Sequence, residues 1–385
     1  MSQPVRIFRN GPIFDGQQIH QGAYAAFEGE RFVGLGPEAE APKSDESTDL
    51  NNDILSVGYV DLQVNGGGGV MFNADPSLAV LQRMAEAHRS LGVVKLLPTL
   101  ISDTREKTRA AIAAAKAAIA ASQPGIIGLH LEGPHLSVAR KGAHDATLIR
   151  AMDDADLNDL LQAAQDLPLL KVTIAPESVS EDQVAQLSKA GVLVSLGHSD
   201  ADFETCQRYF AAGARCATHL FNAMSQIGNR APGLAGAAIS TGDVSAGLIA
   251  DGVHVHPEVM RMAWQAKQGP GRIFLVSDAM AVAGSTLTHF ELGGRRIERS
   301  NGQLRLADGT LAGADLDLTT AVSVLVHKVG VPLKDALAAA TRVPAALCGL
   351  ALPDLAVTSL QDVIRIRADL SGTVPIENRS TQPTA

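Results

Sequence analysis

Two patterns of hydrophobic and polar positions divide the chain. Over residues 5–35, short apolar stretches alternate with turn residues, as VRIFRNGPIFDG and then AYAAFEGERFVGLG. Asp15-Gly16 and Glu28-Gly29-Glu30 break the alternation and predict hairpin turns in an antiparallel β layer. Residues 37–52 are polar, with Pro, Ser, Asp and Asn, and read as a connecting loop. From Ile54 the pattern changes to near-continuous apolar runs separated by helical ones. The runs are GYVDLQV (58–64), VVKLLPT (93–99), IIGLHLE (126–132), LKVTIAPE (170–177), VLVSLG (192–197), RCATHL (214–219), AGLIAD (246–251) and RIFLVSD (272–278). Strands buried on both faces, as in a parallel sheet, have this continuous character.

Between most runs lie helical patterns. Leu78, Leu81, Met84, Ala85 and His88 share one face, and EKTRAAIAAAKAAIAAS (106–122) is alanine-rich. Eight such units predict an α/β fold, a (β/α)8 TIM-like barrel. After Asp278 come a turn-rich, strand-like stretch (290–310) and two helices, LDLTTAVSVLVHKVG and PLKDALAAATRVPAALCG. The segment VIRIRADL (363–370) alternates like an edge strand able to rejoin the N-terminal layer, and the last dozen residues read as disordered. The expected organisation is a barrel over 55–351, with a small β-sandwich domain formed by 1–54 and 352–385.

Composition narrows the function. A formal charge of −9 argues against nucleic-acid binding, which needs a basic surface. An anionic substrate would therefore need a local cationic pocket. Three cysteines without CxxC spacing suit a reducing compartment. No apolar signal core opens the chain, and no run approaches the ~18 apolar residues of a membrane span. A cytoplasmic, non-membrane protein is expected.

Candidate chemistry sits at the ends of the apolar runs. Glu132 in HLEGPH, His198 in LGHSD and His219 in THLFNAM each follow a strand, on the barrel face where ligands converge. A lone histidine is commonly a satisfied polar group, but three such groups buried together without a cation would be poorly paired. Two imidazoles and a carboxylate form a hydrolytic metal set, with zinc first and ferrous iron or cobalt also fitting. Asp278 in VSDAM could serve as base and then acid beside the metal; an N-cap or loop-bracing role is the alternative. His254 in ADGVHVH could reach the same mouth and stabilise a developing oxyanion, while His256 reads as a surface or helix-start residue. Arg230 in GNRAPGLAG suits a phosphate or carboxylate, with an exposed structural arginine as the alternative. The run NGGGG (65–69) lacks the Lys-Ser/Thr of a phosphate loop and reads as close packing at the barrel mouth.

Across residues 55–350 the motifs GYVDLQVNGGGG, PTLI, GLHLEGPH, KGAHD, TIAPE, GHSDA, THLFNAM, RAPGLAG, ADGVHV, VSDAM and GTLAGA follow in order. In these the chain resembles the N-acetylglucosamine-6-phosphate deacetylases of the amidohydrolase superfamily. The resemblance implies that Glu132, His198 and His219 hold one divalent metal per subunit. It makes Asp278 the acid/base acting on a metal-bound water, and His254 the group that polarises the acetyl carbonyl. Backbone N–H groups of Asn222 and Ala223, with Arg230, would hold the sugar phosphate, and Ala143 and His144 would border the sugar hydroxyls. The arginine is expected to act across a homodimer interface. Gln63-Val64-Asn65 replaces the His-x-His of two-metal relatives, implying a single metal. His135 replaces a common aromatic and is expected at the sugar-facing lip or as an extra ligand. TSLQDVIRIRADL stands where the family has Gly-Lys-x-Ala-Asp-Leu. The implied reaction converts N-acetylglucosamine 6-phosphate to glucosamine 6-phosphate and acetate. Alternatives are the N-acetylgalactosamine epimer, another amidohydrolase reaction, and a non-catalytic phosphosugar-binding protein.

Overall fold

A computed structural model describes residues 4–44 and 46–376. The expected disorder of the last residues falls largely on 377–385, outside the described ones. Eight parallel strands lie in one sheet in chain order: Tyr59–Val64 (β1), Val93–Ile101 (β2), Leu129–Glu132 (β3), Leu170–Ile174 (β4), Leu193–Leu196 (β5), Cys216–Ala217 (β6), Ser245–Leu248 (β7) and Ile273–Leu275 (β8). Closure comes at the ends of β1 and β8, through a bridge between Val64 and Ala279 and a bond from the Asp278 N–H to the Gln63 carbonyl. Each strand is followed by a helix, α1 (Leu78–Ser90), α2 (Arg105–Ala120), α3 (Asp154–Asp166), α4 (Glu181–Lys189), α5 (Phe203–Ala212), α6 (Gly233–Ser240), α7 (Pro257–Ala266) and α8 (Leu318–Val324). The fold is a (β/α)8 barrel.

Local sequence explains the helices that frame the site. Ser77, Thr104, Asp153 and Ser180 each accept an N–H of the first turn, capping α1 to α4. In α2 the buried face is Ala111, Ala114, Ala115 and Ala118, small enough for the helix to lie close on the sheet. The last predicted helix divides into α9 (Leu333–Ala340) and α10 (Arg342–Leu347). Pro344 has no N–H to give Ala340 and its ring would clash with that carbonyl, so the helix restarts at Thr341. The GLAG of RAPGLAG is the first turn of α6.

Two further sheets carry the termini. One runs in the order 31–37, 23–28, 5–9, 46–49; the other in the order 373–374, 363–366, 54–57, 13–14, 19–20. Both expected hairpin turns are present, between 14 and 19 and between 28 and 31. Glu46–Asp49, expected within a loop, pairs in parallel with Val5–Arg9 as an exposed outer strand with no apolar alternation to betray it. Val363–Ile366 does rejoin the N-terminal layer, antiparallel to Ile54–Val57, but 373–374 lies outside it, so it is not an edge. Arg365 and Asp53 pair at 2.7 Å across that joint. A three-stranded sheet over 289–305 projects between β8 and α8, with its own core of Phe290, Leu292, Ile297 and Leu304 against Met71, Ile101 and Met280.

Candidate active site

The end of β3 places Glu132, while His198 and His219 follow β5 and β6 by two residues and Asp278 follows β8 by three. The last three have left-handed backbone, with φ of 47°, 31° and 50°. Non-glycine residues seldom adopt that conformation, and strain of this kind gathers at functional sites. Here it turns the chain sharply at the strand ends, which brings three distant side chains to one point.

Glu132 Oε1 lies 3.2 Å from His198 Nε2 and 3.0 Å from His219 Nε2, and the two nitrogens are 3.0 Å apart. All three residues are buried. Ligand atoms bound tetrahedrally to one zinc-sized ion lie roughly 3.3 Å from each other, so this donor set fits a divalent metal. The Arg140 carbonyl sits 2.8 Å from His198 Nδ1, which must donate there and leaves the Nε2 lone pair free for a metal. Burial opposes the charge on Glu132, but the two imidazoles hold its carboxyl well below the usual range.

The Gln63 and Asn65 amides hold carboxylates. Asn65 donates to Asp278 Oδ1 at 2.7 Å, and the Gln63 amide reaches Asp278 Oδ1 at 3.2 Å and both oxygens of Glu132 at 3.1 and 3.2 Å. Both amide donors go to Oδ1, and among the described residues no donor reaches Asp278 Oδ2. Burial, followed by the neighbouring Glu132 charge, pushes the Asp278 carboxyl above its ordinary range, the direction that makes a carboxylate a better base.

His254 is oriented by Asp251, three residues before it in the chain. Its Nδ1 lies 2.6 Å from Asp251 Oδ2, and the backbone N–H groups of Val253 and His254 both reach Asp251 Oδ1 at 2.8 Å. Burial pushes the Asp251 carboxyl up, but the His254 ring and these amides hold it below its ordinary range, so it stays charged. The Asp-x-x-His spacing in ADGVHV was the available signal. His144 is packed against the His198 ring, with centroids 4.4 Å apart, and its Nδ1 accepts from the Ser102 N–H at 3.3 Å. Burial, above all, lowers it to about 3, so it is neutral with its proton on Nε2.

One cavity of about 410 Å³ is lined by Glu132, Ala143, His144, His198, His219, Asn222, Ala223, His254 and Asp278. Every predicted site residue except Arg230 borders it. Arg230 is exposed in the loop ahead of α6 and does not line the cavity of its own chain. The projecting sheet and the turn after it add Leu292, Arg305 and Leu311 to the wall, which the sequence reading did not anticipate. His135 corrects another expectation. Its ring points away from the cavity, with Nδ1 3.1 Å from the Arg150 carbonyl and Nε2 3.9 Å from Asp156, so it braces the loop after β3. The glycines of NGGGG do mark close packing: a Cβ on Gly66 would sit 2.5 Å from the Val70 carbonyl oxygen and 2.8 Å from Ala281 N. His256 caps α7, as a helix-start residue.

Among the described residues no helix is long and apolar enough to cross a membrane. The Amidohydrolase family model matches residues 54–357. N-acetylgalactosamine-6-phosphate deacetylase of Shewanella sp. (strain ANA-3) is 43% identical, over 77% of this chain and 74% of that protein. N-acetylglucosamine-6-phosphate deacetylase of Haemophilus influenzae is 34% identical, over 84% of each. The crystal structure of N-acetylglucosamine-6-phosphate deacetylase from Pasteurella multocida superposes with a TM-score of 0.88 at 31% identity, over 96% of this chain and 97% of that one. The barrel, its strand-end carboxylate and histidines, and a family match over most of its length agree: the chain belongs to the amidohydrolase family.

Proposed function

We propose that the chain removes the acetyl group of N-acetylglucosamine 6-phosphate, giving glucosamine 6-phosphate and acetate. The observation that carries this reading is the convergence of Glu132, His198 and His219 with the amide-tethered Asp278 in one cavity. Glu132, His198 and His219 would hold one divalent metal, zinc first, since imidazole and carboxylate suit it and ferrous iron or cobalt would fit the same donors. When bound, the metal polarises the amide carbonyl and acidifies water. Asp278 takes the proton of the attacking water through Oδ2 and passes it to the departing amine nitrogen. His254 donates a hydrogen bond from Nε2 to the acetyl oxygen as that atom gains charge, and the Asp251 carboxylate holds the ring through Nδ1. Ala143, His144, Asn222 and Ala223 border the sugar. Arg230 would clamp the phosphate of a partner subunit's substrate in a homodimer. The Gln63 and Asn65 amides are spent on carboxylates, which supports a single-metal site.

The galacto epimer is the second reading, favoured by the 43% identity to a deacetylase of N-acetylgalactosamine 6-phosphate. Acetate release from the two phosphosugars under the same conditions tests the choice through their kcat/KM ratio. For Arg230→Ala, KM for the phosphorylated sugar should rise by about tenfold or more, the size of a charge-assisted contact. Equal loss on the unphosphorylated sugar would remove Arg230 from the phosphate. Asp251→Asn has a single oxygen, which the two backbone N–H groups keep, and it turns an NH2 donor to the ring Nδ1 in place of the carboxylate oxygen, so kcat should fall by about ten- to a hundredfold with KM little changed. Steady-state kinetics at parental kcat would show that His254 needs no such partner.

A further inference from the structure

At the opposite end of the barrel a cavity of about 830 Å³ opens at the amino-terminal ends of β5, β7 and β8. Its walls come from these strand ends, from α9 and α10, and from the Gly16–Gln18 turn of the terminal sheets. It shares no lining residue with the candidate active site. Five cationic side chains border it, Arg215, Lys267, Arg272, Lys334 and Arg342, against two carboxylates, Asp243 and Asp335. A surplus of three positive charges thus gathers on a chain whose formal charge is −9.

The cations are incompletely paired. Arg342 Nη1 is buried and has no hydrogen-bond partner, a state that costs free energy unless a ligand supplies an acceptor. Among the described residues the side chains of Arg272 and Lys334 have no hydrogen bond or ion pair either. Lys267 Nζ reaches only backbone carbonyls, of Thr241 at 2.9 Å and Gln268 at 2.6 Å. Burial lowers its ammonium to about 8, a penalty that a neighbouring anion would offset. Trp264, the one tryptophan of the chain, also faces the cavity. The volume lies within the ~300–1,000 Å³ of small-molecule sites.

We infer that this cavity is a second ligand site, taking a small organic phosphate whose charge pairs with Arg272, Lys334 and Arg342 and whose organic part packs against Trp264. A cluster of guanidinium groups matches phosphate oxygens in fork geometry, and the charge surplus suits a dianion better than a single carboxylate. An indole face gives the organic part a flat apolar surface.

Trp264 makes the test direct, because all tryptophan emission comes from this wall. The whole protein is titrated with AMP, with adenosine and with inorganic phosphate, at ionic strength matched with sodium chloride. The expected result is a saturable emission change with AMP, tighter than with either half of the molecule. In Arg342→Gln and in Arg272→Gln the midpoint should weaken by about tenfold, the size of one charge-assisted contact. Arg272 is exposed, so Arg272→Gln keeps the test valid if Arg342→Gln fails to fold, and its acetate release should match the parent. No saturable change, a midpoint equal to the parent's in a folded variant, or phosphate binding as tight as AMP would each overturn the inference.

Discussion

Asp278→Asn is expected to lower kcat for acetate release by about 10²–10⁴, the usual share of a general acid/base, with KM within about threefold of the parent. The geometry makes this a clean substitution. Asn65 and Gln63 both donate to Oδ1, so the asparagine carbonyl will take that position and turn its NH2 toward the reacting side. A hydrogen-bond donor then stands where a proton acceptor is required, with no change in volume. Metal content should be preserved, since Glu132 keeps its imidazole and Gln63 contacts. A variant retaining kcat within about tenfold of the parent would mean that another group moves the proton.

The second large effect is expected from the ligand set. His198→Ala and His219→Ala should each drop bound metal from about one per chain to a small fraction, with activity falling by about 10³ or more. Removing either imidazole also leaves the buried Glu132 carboxylate with one imidazole partner in place of two. A loss of stability is therefore expected beyond that of the metal. Bound metal at a hundred times its Kd adds about 2.7 kcal/mol to stability by mass action, so chelator treatment of the parent should lower Tm too. The two effects separate by experiment: chelator should shift the parent strongly and each variant little. Full metal occupancy in both variants would dissolve the site as described.

Much of this was legible along the chain, for physical reasons that can be named. The eight barrel strands announced themselves as continuous apolar runs because both faces of a barrel strand are covered. The gathering of Glu132, His198 and His219 was legible because strand ends share one mouth. Relations between residues far apart in sequence were not. The tether of Asp278 to Asn65 and Gln63 joins the first and last strands across 213 and 215 positions, and only barrel closure creates it. His135 was misplaced because adjacency to HLEGP says nothing about which way its ring turns; the nearby Arg150 carbonyl and Asp156 decide that. The projecting sheet over 289–305 was readable as strands, but its place in the cavity wall depends on packing against Met71, Ile101 and Met280. The charged cavity at the far end draws its cations from segments between residues 215 and 342, with no local motif to mark it.

The most direct measurement is acetate release by the metal-loaded protein from N-acetylglucosamine 6-phosphate, followed against metal content as chelator removes the ion. Turnover should be proportional to bound metal, saturate near one ion per chain, and be restored by zinc. Turnover that persists after the metal is gone, or none with either N-acetylhexosamine 6-phosphate when the site is full, would contradict it.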